Sequence, residues 1–143
     1  MAEKDLGLSL FDTLKNSDLT EIAADFGELM LDEGLSNDLV KDIPILSTLR
    51  NLYNVTTSIS NYLFTKKVLK FLKGLADIPL KEREKLIERM ATDEKDAHQV
   101  GETLILLLDR MNDMQKPDML AKSFRAYIQG VLPRLKLDKS PRN

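Results

Sequence analysis

Apolar residues recur along this chain at steps of three and four, the period of an α-helix that buries one face. The first clear stripe follows Ser17 and Asp18, both good N-caps. It runs Leu19, Ile22, Ala23, Phe26, Leu29 and Met30 with Glu21, Asp25, Glu28 and Asp32 turned away, and Gly34 stops it. The preceding "LGLSLFDTL" predicts either a short helix or a cover laid over the core by Leu10, Phe11 and Leu14. After a "SNDLVKDI" turn, Pro44 stands at a first helical position. The rhythm then continues to about Gly74 through Leu46, Leu49, Leu52, Tyr53, Ile59, Leu63, Phe64, Val68, Phe71 and Leu72. Thr56, Thr57 and Ser58 lower helix propensity midway, so the pattern fits one long kinked middle helix or two stacked ones.

"ADIP" ends that element, because the residue before Pro79 is pushed out of the helical region. Leu80 to Met90 predicts a helix that buries Leu80, Ile87 and Met90 and leaves its Lys, Glu and Arg residues in water. Thr92 or Asp93 caps the next, whose Ala97, Val100, Leu104, Leu107, Met111 and Met114 form one stripe. Ile105, Leu106 and Leu108 make its other side apolar too, which predicts a buried central helix near residues 94–114. Pro117 and Asp118 open the last helix, with Leu120, Phe124, Ile128, Val131 and Leu132 in line and an end near Gly130 and Pro133. The fold class expected is all-α: a single-domain helical bundle of about five to six helices over residues 1–132. In it an acidic segment, 1–42, precedes a core, 43–132, and residues 133–143 form a frayed tail.

Charge changes this picture more than composition does. With 43% hydrophobic and 31% charged residues the chain reads as globular. The net charge of −2 conceals segregation: residues 1–42 hold eleven acids against Lys4, Lys15 and Lys41, a balance of −8. Residues 43–75 hold Arg50, Lys66, Lys67, Lys70 and Lys73 with no acid, a balance of +5. Segments so divided meet each other or meet something else. The stretch "YLFTKKVLKFLKGL" concentrates the basic share, with Lys66, Lys70 and Lys73 at i, i+4 and i+7 on one helix edge. Three readings follow: a packed helix with its lysine heads in water, an interfacial membrane helix, or a strip for a polyanion. The candidate interaction surface is Arg50, Tyr53, Tyr62, Lys66, Lys67, Lys70, Phe71 and Lys73.

Chemistry is sparse. The absence of cysteine removes disulfides, thiolate metal sites and cysteine nucleophiles. His98 is the sole histidine, and Asp109, Asp113 and Asp118 lack the alternating oxygens and central glycine of a calcium loop. No phosphate-cradling glycine loop, nucleophile elbow or nucleic-acid-reading signature is present. The methionines Met30, Met90, Met111, Met114 and Met119 read as gap fillers in a core, with an adaptable groove at Met111, Met114 and Met119 as the sharper reading. The start is acidic and polar, unlike a secretion signal, and the uncharged run Asn51–Thr65 is short of the roughly 20 residues a membrane span needs. The expected compartment is the cytoplasm.

The ordered motifs "DIP", "LF-KK---FL--L-DIP", "ER-K-I", "VGE-L---LDR" and "KP------F-AYI", spread over about residues 42–130, resemble a group of short uncharacterised helical bacterial proteins. More loosely they are similar to helical proteins of abortive infection and phage conflict. That resemblance implies a defence, counter-defence or mobile-element role and assigns no catalytic residue. The residues themselves suggest a non-enzymatic protein without cofactor or metal that binds another protein, as a homodimer or with a different partner, and no specific nucleic acid. A membrane-surface effector using residues 62–75 is the alternative, and small-ligand capture between helices the third.

Overall fold

In the computed structural model the described residues are 6–24, 26–27, 42–52, 59–113 and 115–130, with the side chains of 52 and 59–62 left aside. Among them lie seven helices and no strand: α1 (Leu6–Asn16), α2 (Thr20–Ala24), α3 (Pro44–Leu52), α4 (Ile59–Lys73), α5 (Leu80–Met90), α6 (Glu94–Arg110) and α7 (Lys116–Ile128). The arrangement is the expected all-α bundle. The expected join between α3 and α4 falls on residues 53–58, and the expected tail on 133–143, both outside the described residues.

Local signals set most of the ends. Asp93 is the N-cap of α6, its carboxylate accepting from the Asp96 N–H at 2.9 Å. Asp18 makes an Asx turn at the entry to α2, accepting from the Thr20 N–H at 3.0 Å and the Thr20 hydroxyl at 2.8 Å. Those two bonds hold its carboxyl below the usual carboxylate range. Pro44 opens α3, Pro79 immediately precedes α5, and Pro117 lies in the first turn of α7. Gly130, at φ +80°, follows α7 in the left-handed conformation that favours glycine.

The element that organises the core is α1, not α6. Leu10, Phe11 and Leu14 are buried at helical spacing, and α1 touches α3, α5 and α6. On the other side α4 packs on α7 and α2, and contacts of α4 with α6 and of α5 with α7 join the two groups. The core therefore takes in α1 and α2 and does not begin at residue 43: Leu10, Leu14, Leu19 and Ile22 are all fully buried.

Three devices seat α1, and each uses small or polar residues. Gly7 meets Gly101 on α6 so closely that a Cβ built on Gly101 falls 1.8 Å from the Gly7 carbonyl oxygen. Only a pair of glycines lets these two backbones touch. On the side facing α3, Thr13 accepts from the Ile45 N–H at 3.0 Å and donates to the Ser9 carbonyl at 2.9 Å. Ile45 is the second residue of α3, so a side chain from another helix satisfies one of its orphan donors. The Ser9 and Thr48 hydroxyls lie 2.7 Å apart beside it.

The third device is Arg83 on α5, 1% exposed. Its guanidinium donates to the carbonyls of Leu14 at 2.5 Å, Ser17 at 2.8 Å and Thr13 at 3.4 Å. These are the last carbonyls of α1 and its exit, at the negative end of the helix dipole, and the Thr13 carbonyl also accepts from the Ser17 N–H at 3.1 Å. Burial pushes the Arg83 pKa down and the Asp18 carboxylate works against that shift; the guanidinium stays charged. The sequence pattern assigned Arg83 to a solvated face, because an isolated buried arginine is rare without a partner charge. Here helix-end carbonyls take the place of that charge.

Candidate functional site

The basic helix α4 turns its apolar face inward. Val68, Leu69, Phe71, Leu72 and Leu75 each show 0% exposure, and the Phe71 ring lies 6.0 Å from that of Phe124 on α7 at a tilt of 57°. Gly74, just past the helix, comes so close to α7 that an added Cβ would lie 2.4 Å from the Ala121 Cβ. Arg125 fixes the same corner, with a bidentate pair to Asp77 at 2.7 and 3.2 Å and a bond to the Gly74 carbonyl at 3.3 Å. That pair holds the Asp77 carboxyl below its ordinary range.

Among the described residues, two of the expected surface are therefore interior. Phe71 belongs to the α4–α7 core, and Lys66 is only 5% exposed. The i, i+4, i+7 edge that joins Lys66, Lys70 and Lys73 is straight along the helix, but the neighbours that cover α4 are not. The edge runs from buried at Lys66 through half-buried at Lys70 to exposed at Lys73. Lys67, half-buried, donates to the Asp109 carbonyl at 3.4 Å, a cation at the C-terminal end of α6. Lys73 stands 4.9 Å over the Phe26 ring, so the acidic first segment does reach the basic helix, and it does so through an aromatic face. Arg50 is exposed on the last turn of α3. Tyr53 lies outside the described residues, and Tyr62 is described by its backbone alone.

Among the described residues the large exposed apolar side chains are Leu63 (42%), Leu106 (50%), Leu107 (42%) and Met119 (63%). On α6 the buried positions are Ala97, Gly101, Leu104, Ile105 and Leu108, so the helix buries one face rather than its whole circumference. Leu106 and Leu107, expected inside, are outside. The reason is the close approach to α1: Ala97 and Gly101, the least hydrophobic positions, mark the contact face, and Leu104 and Leu108 continue it at steps of three and four. The small residues were the legible sign of this face, and a reading weighted by hydrophobicity passes over them. The Lys67–Asp109 bond sets α4 beside α6, with Leu63 one turn before Lys67 and Leu106 about one turn before Asp109.

Elsewhere, His98 is half-buried where α6 crosses α1, its carbonyl oxygen 3.1 Å from where a Cβ on Gly7 would lie. Met90 and Met111 pack at the margin of the core; Met30 and Met114 are outside the described residues. Among the described residues no group of three His, Asp or Glu side chains is arranged to hold a metal ion, and no helix is long and apolar enough to cross a membrane. Compared with models of known families, with curated proteins and with solved structures, the chain matches none.

Proposed function

We propose that this chain is a non-enzymatic, cytoplasmic helical protein that acts by binding another protein. The contact surface lies where α4 and α6 adjoin. The observation that carries this reading is the exposure of Leu63, Leu106 and Leu107 on these two helices, bordered by the half-buried Lys67. Exposed leucines rimmed by charged groups are what a docking surface offers and a purely structural exterior does not need. The basic helix contributes its outer edge to this surface, and its apolar face is spent on the core. A membrane-lying role for residues 62–75 would require that face to leave Phe124 and the interior. The motif resemblance supplies the biological setting of the proposal: bacterial defence, counter-defence or a mobile element.

The test compares full-length protein with a Leu63→Glu/Leu106→Glu variant as baits in the same cells, using cross-linking and quantitative mass spectrometry. Both leucines are substantially exposed, so circular dichroism should report an unchanged helical content. A protein captured by the wild type and lost with the variant supports the proposal. Equal capture by both contradicts the assigned surface. Co-sedimentation of the full-length protein with anionic vesicles would support the membrane reading instead.

A further inference from the structure

The outer face of α6 carries more than two leucines. Gln99, Thr103, Leu106, Leu107 and Arg110 are all exposed, at steps of four, three, one and three, so they form one arc opposite the arc that meets α1. Glu102, half-buried, flanks the arc on its N-terminal half, and Arg110 stands at its C-terminal end. Glu102 and Arg110 are each four residues from Leu106, and they carry opposite charge.

From this symmetry we infer that the partner of the α6 face is a second copy of the chain, docked with the two α6 helices antiparallel about a two-fold axis beside Leu106. The inference rests on the protein-binding reading and names its partner. An isologous contact presents the same patch twice, so any residue at one distance before the axis meets one at the same distance after it. Here that rule brings Leu106 and Leu107 of both copies together in the middle. It sets Arg110 of each copy against Glu102 and Thr103 of the other, giving the charge pair twice. A parallel arrangement would instead set Arg110 against Arg110. The antiparallel helices also oppose their dipoles favourably. The apolar centre is small beside the roughly 800 Å² that each partner buries in a standard stable interface. The dimer is accordingly one that dissociates on dilution.

Sedimentation velocity of the full chain over a wide concentration range tests this. The weight-average mass should climb from 16.3 kDa toward twice that value as concentration rises. Leu106→Glu should weaken self-association by more than about tenfold, as loss of a central apolar anchor does. Arg110→Glu should weaken it while leaving the helical content unchanged. Because the chain has no cysteine, a Leu106→Cys variant treated with a short bismaleimide should give a covalent dimer, and Lys81→Cys on the exposed side of α5 should not. A mass fixed at 16.3 kDa throughout, or a dimer untouched by Leu106→Glu, overturns the inference. If the protein is monomeric and the Leu63→Glu/Leu106→Glu bait still loses a captured protein, the protein-binding reading stands and only the second-copy assignment falls.

Discussion

Replacing Arg83 with methionine isolates what the buried guanidinium contributes. Methionine keeps much of the volume, so the cavity cost stays small, while the donors to the Thr13, Leu14 and Ser17 carbonyls disappear. Hydrogen bonds from a charged donor contribute about 1.5–3 kcal/mol each, and the 3.4 Å contact to Thr13 is worth the least. Two good bonds then give a gross loss of about 3–6 kcal/mol. The arginine's own desolvation, together with its Nε, which is buried without a partner, offsets part of this. The net expectation is a destabilisation of about 2–4 kcal/mol, a large share of the 5–15 kcal/mol typical of a domain. Urea titration followed by circular dichroism at 222 nm reads it directly as a shifted midpoint at unchanged slope. Lys85→Met on the exposed side of the same helix is the control and should change stability by less than about 0.5 kcal/mol. Arg83→Lys should fall between the two, since one ammonium cannot reach all three carbonyls. An Arg83→Met protein as stable as the wild type would refute the reasoning, because desolvation would then cancel the bonds completely.

Gly101→Ala should destabilise by about 1–3 kcal/mol or prevent folding, since its Cβ collides with the Gly7 backbone. Gly27→Ala, which meets nothing within 4 Å, should be neutral or slightly stabilising, and thermal melts of the two variants compare them. Thr13→Val keeps the shape of the side chain and removes the acceptor for the Ile45 N–H; a loss of about 1–3 kcal/mol in chemical denaturation is expected. The Asp77–Arg125 pair gives a pH signature. The folded pKa of Asp77 lies below its ordinary 3.8, so its stabilisation is complete above that value and is lost as pH falls through the folded pKa. With Asp77 69% exposed, the advantage of wild type over Asp77→Asn should stay below about 1 kcal/mol at neutral pH and vanish in strong acid.

Periodicity made the helices legible because a helix packed by one face writes that face into every third or fourth residue. It located α4, α5, α6 and α7 and the caps at Asp18 and Asp93, where a short polar side chain before an apolar run has one common use. It undervalued α1, because α1 is seated by Gly7, Ser9 and Thr13, residues that carry no hydrophobic signal and become interior only through contacts with Gly101, Thr48 and Ile45. The same blindness placed Leu106 and Leu107 inside and Arg83 outside. Of the expected surface, Lys67, Lys70 and Lys73 keep some exposure, while Lys66 and Phe71 do not. Which lysines on a continuous helix edge are covered depends on where α2 and α6 cross it, and spacing along α4 holds no record of those crossings.

That α1 is the axle of this bundle is tested most directly by native-state hydrogen exchange. If the Leu10–Leu14 amides open only with global unfolding, they will exchange at the free energy measured by denaturation and as slowly as those of Leu104–Leu108. Exchange of α1 through local opening, several kcal/mol below the global value while α6 stays protected, would show it to be a cover laid on a core that stands without it.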